Sequence, residues 1–190
     1  LANTVLKGTM GLNSIVGKYL PANKVTMPSY NGVDISFKHL ATHTAALPRM
    51  PDNFEDSDYD PEDPYAVYRS EHLYAFLNNY TITYPIGVSY LYSNLAMGLL
   101  GHTLGLIEGR SYRDILQKSL FNVLGMSRST LFLKDVHREN LALGHDENLN
   151  IVPNWNAADV FQGAGFIKSS MNDMMKYLEA NLGLADSPLK

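Results

Sequence analysis

Two histidines stand four residues apart, a spacing that would put both imidazoles on one face of a helix. His39 and His43 thus have the separation of two zinc ligands. The surrounding sequence supplies no third ligand and no glutamate of the His-Glu-x-x-His kind. We therefore interpret both as packing or hydrogen-bonding residues, keep a metal-dependent hydrolase as the less favoured alternative, and expect neither a metal nor an organic cofactor.

A second candidate metal segment is rich in acidic residues. Asp56, Asp58 and Asp60 match the first three ligands of a calcium loop. Such a loop requires glycine where Pro61 stands and a bidentate glutamate where Val67 stands. The stretch from about residue 51 to 69 is therefore predicted to be a solvated surface loop that binds no metal.

A tyrosine and an asparagine, Tyr92 and Asn94, flank Ser93 in a third candidate site. A phenol has an ordinary pKa near ~10, so it relays protons at neutral pH only where a nearby positive charge stabilises the phenolate. The Asn94 amide has one acceptor and one donor group with which to hold polar partners. With 12 tyrosines in the chain, a buried tyrosine with a satisfied hydroxyl is the alternative for Tyr92.

The composition of the chain is that of one ordinary globular domain. Its 190 residues are 45% hydrophobic and 18% charged, so we expect residues 1–190 to form a single domain around one core. With 15 basic and 19 acidic residues and a net charge of -4, the chain lacks the basic field that nucleic acids require. Cysteine is absent, and no apolar run reaches the ~20 residues of a membrane span.

Capping residues and apolar periodicity predict a mainly helical α+β fold with a few short strands. Asn94 to Glu108, stopped by Gly109, is the most apolar helix and is expected to be central. The other predicted helices begin after Ser36 and run through His43, run from Ser70 to Asn79, and follow the capping boxes Ser111/Asp114 and Ser170/Asp173. Short strands are expected near 130–133 and 151–153.

Three ordered stretches resemble motifs of one enzyme family. They read HLATHTAALP at 39–48; YSN at 92–94, followed by LAMGLLG and later LGMSRST at 124–130; and GAGFIKSS at 163–170, followed by Asp173-Met174. Together they resemble the "HLLTHTSGLP", Tyr-x-Asn and "GGLxST..DM" patterns of penicillin-recognising serine hydrolases, of the class C β-lactamase and D-alanyl-D-alanine peptidase type. The resemblance covers residue 1 to about 183 and implies the largely helical lobe of the β-lactamase/transpeptidase-like fold, without most of its catalytic sheet.

The resemblance also implies roles for individual residues. Tyr92 would share the proton of a nucleophilic serine with the lysine of a Ser-x-x-Lys motif, while Asn94 would contact that lysine and the substrate. Ser93 would face elsewhere, and Arg49 would lie at the rim of the cleft as a substrate-binding residue. The substrate would be a β-lactam, a D-Ala-D-Ala peptide or a small ester.

Two family motifs have no counterpart in the sequence. The Ser-x-x-Lys pair is expected roughly ten residues before Leu1, because the only literal match, Ser187 to Lys190, follows a helix stop at the opposite end. The Lys-Thr-Gly motif is absent. We therefore expect this chain alone to be inactive, and its sheet-facing surface to be covered by a second copy or by the missing sheet.

A departure from the family pattern bears on the substrate. Class C β-lactamases have a tyrosine beside the turn that resembles residues 163–167, where this chain has Ala164 and Gly165. This difference favours a peptidase or an esterase-like relative. A non-catalytic binding or scaffold module derived from the same fold is the alternative, and the cellular compartment stays undetermined.

Overall fold

The computed structural model describes residues 1–56, 59–132 and 135–186, without the side chains of 135–137. Six α-helices lie in these ranges: α1 (Ala2–Leu6), α2 (Phe37–Ala41), α3 (Ser70–Asn79), α4 (Asn94–Glu108), α5 (Tyr112–Leu116) and α6 (Met171–Asn181). In the same ranges, three 3₁₀-helical turns occupy Val16–Tyr19, Asp135–Asn140 and Gln162–Ala164, and a π-helical turn occupies Gln117–Phe121. The described chain is thus mostly helical, as predicted.

The β-structure is limited to two short antiparallel hairpins. Strand β1 (Ser29–Tyr30) pairs with β2 (Val33–Asp34), and β3 (Gly144–His145) pairs with β4 (Ile151–Val152). The first hairpin was not predicted, although its turn, Asn31-Gly32 with both φ angles positive, is a strong hairpin signal. In the expected strand near 130–133, Thr130 makes one isolated bridge to Lys168, and Leu133 lies outside the described residues.

Helix α4 is the centre of the core, as its apolar sequence predicted. Leu95, Leu99 and Leu104 are buried on it, and Gly109 ends it in the left-handed conformation. Its glycines allow a close contact with the turn Gln162–Ala164, because a Cβ at Gly101 would lie 2.9 Å from the Gly163 Cα. Two of the three stretches named above therefore pack directly against each other.

Helix α2 is shorter than predicted. Ser36 caps it, with its Oγ accepting from the His39 amide, but the helix ends at Ala41. The Thr42 hydroxyl bonds back to the Lys38 carbonyl, and His43 has a left-handed φ of 56°. The prediction that His39 and His43 share one helix face is therefore wrong.

The acidic segment is a loop, as predicted, but it is anchored in the core. Its acidic side chains at 52, 55, 56, 60 and 62 are exposed. Phe54 packs on Tyr65, Tyr68 and Phe161, with ring centroids 5.0 to 5.7 Å away, and Tyr68 is buried. The acidic residues of this loop thus lie at the surface, while its aromatic residues contribute to the core.

Candidate active site

Ser93 fixes the start of helix α4. Its hydroxyl accepts from the Ala96 amide at 2.9 Å and donates to the Pro48 carbonyl at 2.6 Å. The residue is buried, and the Leu95 amide adds a bond to the Arg49 carbonyl. Ser93 thus faces away from the surface, as expected, and ties the segment 48–49 to the first turn of the helix.

Tyr92 immediately precedes this cap and is directed towards solvent. The residue is 48% exposed. One face of its ring lies near the His43 imidazole, with centroids 4.8 Å apart. The Arg49 guanidinium carbon is 5.8 Å from the ring centroid, within the range of a cation–π contact. The structure therefore brings the candidate residues Tyr92 and Arg49 together at the surface.

His43 holds the backbone on both sides of Tyr92. Its carbonyl oxygen accepts from the Leu91 amide at 2.8 Å, and its Nδ1 accepts from the Ser93 amide at 3.1 Å. Because Nδ1 accepts, the imidazole proton is on Nε2. Sequence reasoning assigned His43 only a packing or hydrogen-bonding role, and its link to Tyr92 depends on a contact across 50 residues.

Asn94 lies beside a separate pocket. Its side-chain amide is 3.3 Å from the Tyr65 hydroxyl and 3.7 Å from the Met50 sulfur. Met50 and Tyr65 line a pocket of about 360 Å³, together with Trp155 and acidic-loop residues. Tyr92 and Arg49 do not line that pocket. The shared role that the resemblance implies for Tyr92 and Asn94 at one substrate therefore stays a prediction.

The wall of this pocket contains Tyr65, which the sequence analysis did not single out. Tyr65 contacts Asn94 and packs against Trp155, with ring centroids 5.7 Å apart. Lys168 donates to the Trp155 carbonyl at 2.9 Å; burial lowers the pKa of its ammonium, while the Asp63 charge opposes that shift. No local pattern indicated Tyr65, because it sits in a segment rich in proline and acidic residues.

The two histidines considered as metal ligands use Nδ1 in internal hydrogen bonds. The His39 Nδ1 accepts from the Ser36 amide at 3.1 Å, just as that of His43 accepts from Ser93. Burial, with the charge of Lys38, lowers the pKa of His39. Among the described residues no group of three or more candidate ligands is found. Asp58 and the Ser187 to Lys190 match lie outside those residues.

Another pocket, of about 780 Å³, lies near the other end of α4. His102, Leu106 and Arg110 are among its lining residues. The His102 ring nitrogen is 2.7 Å from the Tyr74 hydroxyl, and burial lowers the pKa of His102 although Asp159 opposes the shift. None of the three candidate residues lines this pocket.

Comparison with known proteins decides the family. A family model described as Beta-lactamase matches residues 1–189. The chain belongs to the beta-lactamase family. Within the described residues of this beta-lactamase-family chain, no helix is long and apolar enough to cross a membrane.

Individual relatives agree with this assignment. The chain is 29% identical over 177 residues to the D-alanyl-D-alanine-carboxypeptidase/endopeptidase AmpH of Escherichia coli. The aligned region covers 93% of this chain and 43% of AmpH. A Beta-lactamase of the same organism is 27% identical over 182 residues, or 95% and 43% of the two chains. The beta-lactamase-family chain thus spans less than half the length of these relatives.

Solved structures show the same fold. A beta-lactamase/D-alanine carboxypeptidase from Yersinia pestis has a TM-score of 0.76 and 26% identity, covering 93% of this chain and 48% of that chain. A class C beta-lactamase has a TM-score of 0.79 and 25% identity, covering 97% and 46%. The predicted helical part of the β-lactamase fold is therefore confirmed.

Proposed function

We propose that residues 1–190 form one wall of the active site of a penicillin-recognising serine hydrolase. The full-length protein would act through an acyl-enzyme on a β-lactam, a D-Ala-D-Ala peptide or a small ester. The names of two relatives support the peptide and the β-lactam, since AmpH is a D-alanyl-D-alanine-carboxypeptidase/endopeptidase and one class C beta-lactamase structure is a complex with cefoxitin. We treat residues 1–190 as one folded unit of that protein.

The observation that carries the proposal is the placement of Tyr92. Its phenol is exposed, while the backbone on both sides is fixed by His43 and by the buried cap Ser93. A reacting side chain must be open to substrate yet held in place, since catalysis depends on preset geometry. A structural tyrosine would instead bury its ring and satisfy its hydroxyl.

A proton relay through Tyr92 would require positive charge close to its phenol. A phenol takes up and returns a proton near neutral pH only where a cation favours its phenolate. Arg49 contributes one positive charge over the ring. In the proposed enzyme the lysine of the Ser-x-x-Lys motif supplies a second positive charge. Arg49 also binds a carboxylate of the substrate.

Asn94 is proposed to bind the substrate from the other side of the cap. Its amide already contacts Tyr65 and Met50, so its orientation is set by the wall of the pocket that contains Trp155. Its carbonyl oxygen remains to accept a hydrogen bond from the lysine or from a substrate amide.

The position of α1 is compatible with a nucleophile on a preceding segment. The Thr4 hydroxyl and the Lys7 ammonium both bond to Glu108, the last residue of α4. Helix α4 spans about 21 Å between Glu108 and Asn94, and roughly ten further helical residues before Leu1 would cover about 15 Å. We propose that such an extension runs beside α4 and carries the serine and lysine towards Tyr92.

The exposed apolar face of α6 is proposed to be covered by another part of the full-length protein or by a second copy. Methionine and leucine side chains at helical spacing are exposed on this helix, at 171, 174, 175 and 178. In α1, by contrast, Leu1 and Val5 pack against the core, whereas Leu6 is 84% exposed. Light scattering of the isolated chain tests this, because a clean 21.2 kDa monomer that binds no hydrophobic dye would contradict it.

Labelling of the full-length protein with a fluorescent penicillin tests the proposed function. We expect a covalent adduct on one serine, identified by mass spectrometry, and hydrolysis of nitrocefin or a p-nitrophenyl ester. The isolated chain should show no turnover above background. Absence of both adduct and turnover in the folded full-length protein would instead support a non-catalytic scaffold.

A further inference from the structure

We infer that His43 is a positioning residue for Tyr92, and that its Nδ1, which accepts the hydrogen bond from the Ser93 amide, is the atom that holds Tyr92 in place. This inference rests on the proposed function of Tyr92. His43 is not one of the residues proposed to touch the substrate, and it acts through the backbone of residues 91–93.

Three contacts converge on the Tyr92 segment from this one residue. The His43 carbonyl accepts from the Leu91 amide at 2.8 Å, and the Nδ1 accepts from the Ser93 amide at 3.1 Å. The His43 ring lies 4.8 Å from the Tyr92 ring, tilted by 33°. The Tyr90–Leu91 and Tyr92–Ser93 peptide bonds are thereby held, and one face of the Tyr92 ring is covered.

Water cannot replace His43 as the hydrogen-bond partner of the Ser93 amide, because Ser93 is buried. Ser93 is 1% exposed, so its N–H must be satisfied within the protein. Without the acceptor at Nδ1, this amide would have to turn towards water and take the Tyr92 backbone with it. A displacement of about 1 Å can cost on the order of a hundredfold in rate, so this one bond has catalytic consequences.

The backbone of His43 indicates that the residue is held in a demanding conformation. Its φ of 56° is left-handed, a region that only a few per cent of non-glycine residues adopt, histidine more often than most. Such conformations persist where the surroundings fix them and are concentrated at functional sites. The His43 ring also meets Tyr90 edge-on at 5.5 Å, so two tyrosines pack against it.

A pair of amide substitutions separates the Nδ1 acceptor from the rest of the side chain. In His43→Asn, the Oδ1 is as many bonds from Cα as Nδ1 is, so it can accept from Ser93. In His43→Gln, the acceptor lies one bond further out, at the position of Nε2. The same substitutions at His145, an exposed residue on β3, are the matched controls.

The experiment measures two quantities in the full-length protein. The first is hydrogen exchange at the Ser93 amide, which reports its hydrogen bond independently of catalysis. The second is the split between kcat and KM for p-nitrophenyl ester hydrolysis. Melting curves accompany each variant, because asparagine tolerates a left-handed φ better than glutamine does, and rates are compared where both are folded.

We expect His43→Asn to stay within about threefold of the wild type in both quantities. His43→Gln should exchange the Ser93 amide about tenfold faster and lose about tenfold in kcat, with KM changed by less than about twofold. The inference is overturned if glutamine preserves both quantities, or if asparagine loses as much as glutamine.

Tyr92→Phe distinguishes failure of this inference from failure of the proposed function. If Tyr92→Phe is inactive and His43→Gln is unaffected, only the role of His43 is wrong. If Tyr92→Phe retains full activity, the proposed function fails and the inference fails with it, whatever the Ser93 exchange shows.

Discussion

Asn156 holds both carboxylate oxygens of Asp63, with its backbone amide 2.7 Å from Oδ1 and its side-chain amide 2.8 Å from Oδ2. This contact joins the acidic loop to the segment that carries Trp155. The pocket beside Asn94 is built from these two segments, so the Asp63 carboxylate maintains its shape.

Replacing Asp63 by alanine should therefore destabilise the fold by about 1–3 kcal/mol, because two donors of a half-buried residue lose a charged acceptor. Trp155 is the only tryptophan, so its fluorescence reports the pocket directly during urea unfolding. The neighbouring exposed Glu62→Ala is the control and should stay within about 0.5 kcal/mol. Equal midpoints for the two variants would show that the contact is not structural.

Glycine 98 gives a second prediction, in which two effects oppose each other. Alanine is favoured over glycine inside a helix by about 1 kcal/mol. A Cβ at Gly98, however, would lie 2.5 Å from the Val160 carbonyl and 3.1 Å from the Phe161 ring. Because a backbone carbonyl cannot move aside cheaply, overpacking should prevail, and Gly98→Ala should lose about 1–3 kcal/mol.

Urea unfolding followed by circular dichroism checks this. Gly11→Ala is a suitable control, since the nearest atom to its added Cβ is 3.8 Å away. A Gly98→Ala protein as stable as the wild type would mean that α4 and the 157–164 segment are not packed as described.

The pH dependence of stability should depend on Asp173. Burial raises the pKa of this carboxyl, but hydrogen bonds from the Ser129 hydroxyl and the Arg128 amide, together with Lys176, outweigh burial and hold the pKa below its usual range. The folded-state pKa is thus below the unfolded one. Asp173 therefore stabilises the fold above about pH 4, and that contribution is lost as the pH falls through the folded-state pKa.

The variant Asp173→Asn should be less stable than the wild type at pH 7 and should lose less stability on acidification. Denaturation midpoints between pH 7 and about pH 3 measure the difference. The control is Glu147→Gln, an exposed carboxyl in the turn between β3 and β4. Parallel pH profiles for wild type and Asp173→Asn would exclude this role.

Local sequence signals predicted much of the fold. Helix α3 runs from Ser70 to Asn79 and α4 from Asn94 to Glu108, as their start and stop residues indicated. Ser170 caps α6 as expected. The Asn31-Gly32 hairpin carried an equally local signal and was overlooked.

Contacts between distant residues could not be predicted in the same way. The sequence predicted a capping box in which the Asp173 carboxylate accepts from the Ser170 backbone amide. The carboxylate accepts from the Arg128 amide and the Ser129 hydroxyl, more than 40 residues away. Tyr65 contacts Asn94 across 29 residues. Such pairs depend on how the elements pack, which capping and periodicity do not specify.

For the candidate site, the ordered motifs indicated Tyr92, Asn94 and Arg49, and the structure brings Tyr92 and Arg49 together. Helical spacing wrongly paired His39 with His43, since α2 ends before His43. The contact of His43 with Ser93 joins residues 50 apart and depends on how the 39–48 segment packs against the start of α4, which local sequence patterns do not specify.

The acylation rate of Tyr92→Phe tests the central claim most directly. Tyr90→Phe is the matched control, because Tyr90 is 68% exposed and also contacts His43. In the full-length protein we predict that Tyr92→Phe slows penicillin labelling and ester hydrolysis by at least about a hundredfold, the usual range for a lost proton relay, whereas Tyr90→Phe stays within about twofold. A Tyr92→Phe protein that is folded and reacts as fast as Tyr90→Phe would contradict the account.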